Sequence, residues 1–130
     1  MEKFSDLLGR TLSGVEKPND AELVFTLDTG EKYKLFHEQD CCEDVFIEDI
    51  VGDLADLVGW PILMAEEITQ DTNPEGVSKE DQESFTWTFY KLATVRGYVT
   101  IRWYGESNGY YSESVDFEAV WEMSKVVKTI

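Results

Sequence analysis

The chain has one histidine, His37, and two cysteines, Cys41 and Cys42, which are neighbours. A structural zinc site usually combines two separated pairs of Cys or His ligands. No second pair is present to complete one. Adjacent cysteines cannot tie distant parts of a chain together, so a disulfide scaffold is excluded and free thiols are expected. No stretch approaches the roughly 18–20 apolar residues needed to span a bilayer. The opening Met1-Glu2-Lys3-Phe4-Ser5-Asp6 has no basic segment followed by an apolar run. No secretory signal is read from it, and a cytoplasmic protein is expected. Gly-rich phosphate loops, Ser-based nucleophile elbows, HExxH and the Asp-rich EF-hand loop are all missing. A conventional enzyme is therefore not expected.

Basic residues are also scarce: 11 Lys and Arg stand against 27 Asp and Glu, for a formal charge of −16. Such a chain cannot bind DNA, RNA or an anionic membrane by bulk electrostatics, because those partners need cations to neutralise phosphates. No Lys or Arg occurs between Lys34 and Lys79, and that gap holds twelve carboxylates. The excess is thus local, and the two ends are nearly balanced. The chain is 42% hydrophobic and 13% aromatic. That content suffices for a core, so disorder is not the reading. The length of 130 residues fits one domain spanning 1–130.

Periodicity points to strands. Ala21, Leu23, Phe25 and Leu27 alternate with polar or smaller neighbours, and Asp28-Thr29-Gly30 supplies a turn. A three-residue loop sets Phe25 opposite Tyr33, Leu23 opposite Leu35 and Ala21 opposite His37. Every apolar residue, and His37 with them, then falls on one face. A two-residue loop would scatter that pattern. Asp49 to Gly59 carries Ile50, Val51, Leu54, Leu57 and Val58 at helical spacing, with Asp49 as N-cap, so a short helix is expected there. Strands are expected at Pro61–Ile68, around Phe85–Tyr90 and Val99–Tyr104, and over Tyr110–Phe117, with a polar loop from Gln70 to Glu83. The tail after Ala119 fits either a short helix or an edge strand. The sum is an α+β domain: an antiparallel sheet of six to eight strands with one or two short helices.

Three constellations could carry chemistry. The first, His37-Glu38-Gln39-Asp40-Cys41-Cys42-Glu43-Asp44, gathers an imidazole, two sulfurs and four carboxylates. His37, Asp40, Cys41 and Cys42 are weak metal-ligand candidates, and His37 with Cys42 is a thiol-catalysis candidate that has no evident orienting group. The plain alternative is a strand-end histidine and two small buried cysteines at a turn. The second constellation is Trp103-Tyr104-Gly105-Glu106-Ser107-Asn108-Gly109-Tyr110-Tyr111-Ser112-Glu113. If Tyr104 opposes Tyr110, Arg102, Trp103, Tyr104, Asn108, Tyr110 and Glu113 join His37 as candidate ligand-binding groups. Aromatic planes, an amide and a guanidinium can hold a nucleotide. Cross-strand aromatic pairing and turn chemistry explain the same residues without a ligand. Glu113 is then an inward carboxylate in need of a partner. The third constellation is the acidic run Glu38, Asp40, Glu43, Asp44, Asp49, Asp53 and Asp56. It is either a solvated face or a phosphate-like track that occupies a basic channel.

The segments "HEQDCCE" and "WYGESNGYYSE" lie in a stretch from about Leu8 to Phe117. That stretch resembles an uncharacterised family of small acidic proteins of phages, prophages and their bacterial hosts. The resemblance implies no activity. It implies a setting, the host cytoplasm, and a class of roles, because small phage proteins often act on host defences. Three readings follow. One is a non-enzymatic inhibitor that sets its acidic face against a basic, nucleic-acid-handling or defence protein of the host. Another is a sponge for a nucleotide-like signal. The last is a metal- or thiol-dependent enzyme. No cofactor, direct nucleic-acid partner or membrane partner is expected, and an exposed sheet edge could pair two copies into a homodimer.

Overall fold

The computed structural model describes residues 3–79 and 82–120. Eight strands run β1 (Leu12–Asn19), β2 (Glu22–Leu27), β3 (Lys32–Phe36), β4 (Asp44–Val51), β5 (Met64–Gln70), β6 (Ser84–Thr94), β7 (Gly97–Ser107) and β8 (Asp116–Ala119). They form two antiparallel four-stranded sheets, ordered β1-β2-β3-β8 and β4-β7-β6-β5. The strand number falls within the expected range, but the strands divide into two sheets instead of one. Among the described residues, the helical part reduces to two 3-10 turns, Phe4–Leu7 and Leu54–Leu57.

The β2–β3 register is the expected one: Phe25 pairs with Tyr33 and Leu23 with Leu35. The Leu27 amide donates to the Glu31 carbonyl across the three-residue loop, and the His37 amide donates to the Ala21 carbonyl. Alternation in both sheets sends one face inward. Leu23, Phe25, Leu27 and Leu35 meet Val45, Ile47, Leu92, Val99, Ile101 and Trp103 in a single core. Phe4 closes one flank of it, its ring 4.7 Å from that of Tyr90.

The helix expected at Asp49–Gly59 does not form. Its first residues belong to β4, and only Leu54–Leu57 make a 3-10 turn. β4 also carries a bulge between Ile47 and Asp49. An extra residue in one strand shifts its facing by one. Ile47, opposite Trp103, and Ile50, opposite Ile101, therefore both turn inward three residues apart. The stripe read as helical is a strand end, Ile50 and Val51, followed by a turn that holds Leu54 and Leu57. Gly52 then takes φ +101°, where a Cβ would collide with the Tyr98 carbonyl oxygen. The cap is Asp53 instead of Asp49: its Oδ1 accepts from the Ala55 amide at 2.9 Å.

Two further expectations fail. The strand expected from Pro61 starts at Met64. Tyr110–Phe117 is not a strand paired with Trp103–Tyr104, because β7 is already bonded on both edges. Tyr104 pairs with Phe46 on β4 and with Trp87 on β6. Only Asp116–Ala119 is extended, and it pairs with β3. The tail beyond Val120 lies outside the described residues. The described part of the polar stretch after Gln70 has no regular structure, as expected, but it folds over the outer face of the second sheet. There Asn73 Oδ1 accepts from Trp87 Nε1 at 3.1 Å, and Gln82 Nε2 donates to the Tyr104 hydroxyl at 2.8 Å.

Candidate functional site

His37 follows directly on β3 and its ring is turned to the interior. Its Nε2 is 2.9 Å from Oε2 of Glu43 and its Nδ1 is 2.9 Å from the Ser114 carbonyl oxygen. Both ring nitrogens therefore face acceptors, and neither is free to ligate a metal. Glu43 is only 3% exposed. Its carboxylate also accepts from the backbone amides of Cys41 (2.9 Å) and Asp40 (3.0 Å). The Cys41 amide bond is the largest of the effects that hold the Glu43 pKa down, from 4.5 to about 2, and His37 adds to it. Gln39 Nε2 donates to the Glu43 carbonyl and to that of Cys41. The segment is thus a self-satisfied loop organised by a buried carboxylate. Cys41 and Cys42 are joined in a disulfide, which replaces the free thiols expected. Among the described residues no group of three His, Cys, Asp or Glu side chains is placed to hold a metal ion.

The acidic residues divide. Glu43 is removed from any acidic face by its burial, and Asp56 is half-buried, its carboxylate against Gly97. Glu38, Asp40, Asp44, Asp49 and Asp53 are exposed. In chain order they run from the loop after β3, through β4 and into the turn beyond it. Within its sheet β4 is an edge strand. It has eight residues. A strand of that length extends about 26 Å, at about 3.3 Å per residue. Glu48, at the bulge, pairs with Arg102.

The candidate ligand-binding residues do not line one pocket. Trp103 is enclosed in the core. Arg102 and Tyr104 lie on the opposite face of the same strand, with the Arg102 guanidinium 5.2 Å from the Trp87 ring centroid. Tyr104 is buried, and burial is the main cause of its raised pKa. Lys79 caps its ring at 4.4 Å. Tyr110 is 92% exposed, and Asn108 Oδ1 accepts from the Tyr110 amide at 3.0 Å. That is an ordinary turn bond.

Glu113 does find its partners. It lies over Gly105 on the inner face and accepts from Thr86 Oγ1 at 2.9 Å and from Ser107 Oγ. With Thr86, Thr88 and Tyr90 it lines a cleft of about 370 Å³ between the inner face of β5–β6 and the segment leading to β8. No signal in the sequence points to this cleft, because threonines on an alternating strand read as its solvent side. The two singular segments meet at Cys42, Asp44, Glu106, Ser107 and Asn108 around an acidic hollow, and His37 reaches Ser114 just beyond the second segment.

The arrangement defines a two-sheet antiparallel β protein with a buried His–Glu pair, an acidic edge strand and a hydroxyl-lined cleft. The family model for a domain of unknown function, DUF7448, matches residues 5–117, and the chain belongs to that family. No curated protein and no solved structure matches the chain. No helix among the described residues is long and apolar enough to cross a membrane.

Proposed function

We propose that the protein is a non-enzymatic interaction protein whose β4 edge engages a basic surface of another protein, one that normally handles nucleic acid. The observation that supports this reading is the run of exposed carboxylates from Glu38 and Asp40 in the loop before β4, through Asp44 and Asp49 on that edge strand, to Asp53 in the turn after it. Carboxylates spaced along and beside an edge strand can occupy a channel built for a phosphate backbone. The bulge and the charges keep that edge from pairing with another strand, so the partner is met by side-chain charge and not by sheet extension. If the phage setting implied by the resemblance holds, the partner is a host nucleic-acid-handling or defence protein.

A nucleotide sponge has less support. Trp103 and Glu113 lie on the inner face of the second sheet, Arg102 and Tyr104 lie on the outer face, and the cleft has no Lys or Arg in its walls.

The test is affinity capture from a bacterial lysate at low and high salt, followed by competition of each recovered protein with DNA or RNA. The expected result is a partner released by salt and by nucleic acid, and lost with Asp44→Lys/Asp49→Lys/Asp53→Lys. Binding that ignores salt, nucleic acid or the charge reversal overturns the reading.

A further inference from the structure

Beyond Tyr90 the inner face of β5–β6 turns from apolar to hydroxylated. Thr88 and Thr86 follow on β6, with Thr69 opposite Thr88 on β5. These side chains floor the cleft of about 370 Å³. Its walls contain two carboxylates and no cation. Glu67 stands opposite Tyr90 at one end, and Glu113 holds Thr86 at the other. The Thr86 and Tyr90 ends lie four residues apart on β6, about 13 Å along the strand.

Tyr90 supplies the independent observation. The residue is wholly enclosed and lines the cleft, yet its hydroxyl has no partner in hydrogen-bond geometry among the described residues. A buried, unpaired hydroxyl costs free energy and calls for an explanation. Burial first, and a loose hydrogen-bond approach of Glu67 that falls short of full geometry second, raise its pKa, so it remains a neutral phenol whose oxygen can accept an N–H bond.

We propose that this cleft binds a linear polyamine. Ammonium groups at the two ends of such a ligand meet Glu67 and Glu113, and the threonine and Tyr90 hydroxyl oxygens accept N–H bonds between them. A phosphate-bearing ligand is opposed by both carboxylates. The net charge of −16 concentrates cations near the protein. None of the β4 carboxylates takes part, so polyamine binding stands or falls separately from the proposed protein–protein function.

The test is calorimetric titration of the full chain with spermidine at physiological ionic strength, with magnesium chloride and maltose as controls. The expected result is saturable one-to-one binding of spermidine alone. Glu113→Gln should weaken it about tenfold or more, through loss of a charge-assisted bond. Tyr90→Phe should weaken it by roughly threefold to tenfold. Removing a buried hydroxyl that has no partner should hold or raise Tm, so Tyr90→Phe decides the matter even if Glu113→Gln fails to fold. Asp44→Asn/Asp49→Asn/Asp53→Asn should leave spermidine affinity as it is. Absence of saturable heat, equal binding of magnesium, binding of maltose instead, or weakening by the β4 variant but not by Tyr90→Phe overturns the proposal.

Discussion

His37 Nε2 lies 2.9 Å from Oε2 of Glu43, and the two side chains are 5% and 1% exposed. The pair joins the end of β3 to the start of β4, and through the Ser114 carbonyl it reaches the strap before β8. Acid should therefore unfasten this junction. The Glu43 pKa is depressed from 4.5 to about 2 in the folded chain, so its carboxylate contributes stability at all pH values above 4.5. That contribution is lost as pH falls from 4.5 through 2, where the unfolded state takes up the proton first. Glu43→Gln should lower Tm by several degrees at neutral pH. The gap between wild type and variant should close between pH 4.5 and 2, as followed by circular dichroism melts. A gap that stays constant through that window would show that the charge is not what holds the loop.

Gly105 is the second fixed point. A Cβ there would lie 2.6 Å from the Glu113 carbonyl oxygen and 3.0 Å from its Cβ. Glycine in a strand interior often marks such a close backbone approach. Gly105→Ala must push the segment around Glu113 away from the sheet and release Thr86 and Ser107 from its carboxylate. The expected loss is about 1–3 kcal/mol, the usual cost of overpacking a tight site, measured by urea unfolding. Gly109→Ala offers a contrast: it meets no atom within 4 Å, but it strains a backbone at φ +93°. Its cost should come from conformation alone.

How much of this was legible in the sequence varies with distance along the chain. The β2–β3 hairpin could be read to the residue, because only one loop length puts Leu23, Phe25, Tyr33 and Leu35 on the same face. The strands β6 and β7 were visible by their alternation, but not the register that pairs them. The segment Asp49–Gly59 misled because the end of a bulged strand, Ile50 and Val51, and a 3-10 turn with Leu54 and Leu57 together give the apolar spacing of a helix. No sequence rule announces a bulge. The fate of Tyr110–Val115 was hidden for another reason: it depends on β4, some sixty residues earlier, having already taken the free edge of β7. At the site, the coincidence of His37 and Glu43 in one short segment was visible. The burial of Glu43, and the return of Ser114 to His37, were not.

The Asn73–Trp87 contact shows what the polar stretch after β5 is for. Trp87 is fully buried on the outer face of its sheet, and its indole N–H donates to Asn73 Oδ1 at 3.1 Å. Asn73 and Gln82 also exchange side-chain amide bonds at 2.9 and 3.1 Å. Asn73→Ala removes the acceptor and leaves a buried donor unpaired, at a cost of roughly 1–3 kcal/mol. The loop should loosen locally before the sheets unfold. Faster amide exchange confined to the 71–83 region, with a red shift in tryptophan emission, is the expected result. Unchanged exchange there would mean that the loop is held by other contacts.

The exposed carboxylates of β4 separate stability from recognition. Asp44 and Asp49 are solvated, and Asp49 Oδ1 accepts only from the next amide, Ile50, at 2.9 Å. Surface charges of this kind change stability by no more than about 0.5 kcal/mol each. Relief of repulsion within so acidic a segment should make Asp44→Asn and Asp49→Asn neutral or slightly stabilising, and most visibly so at low salt. Asp53→Asn keeps an oxygen to accept from Ala55, so the 3-10 turn should survive it. The triple neutral variant should therefore melt at or above the wild-type temperature while losing any salt-dependent protein partner. A large fall in Tm would instead assign these residues a structural duty, and would leave the acidic edge without a free face to offer.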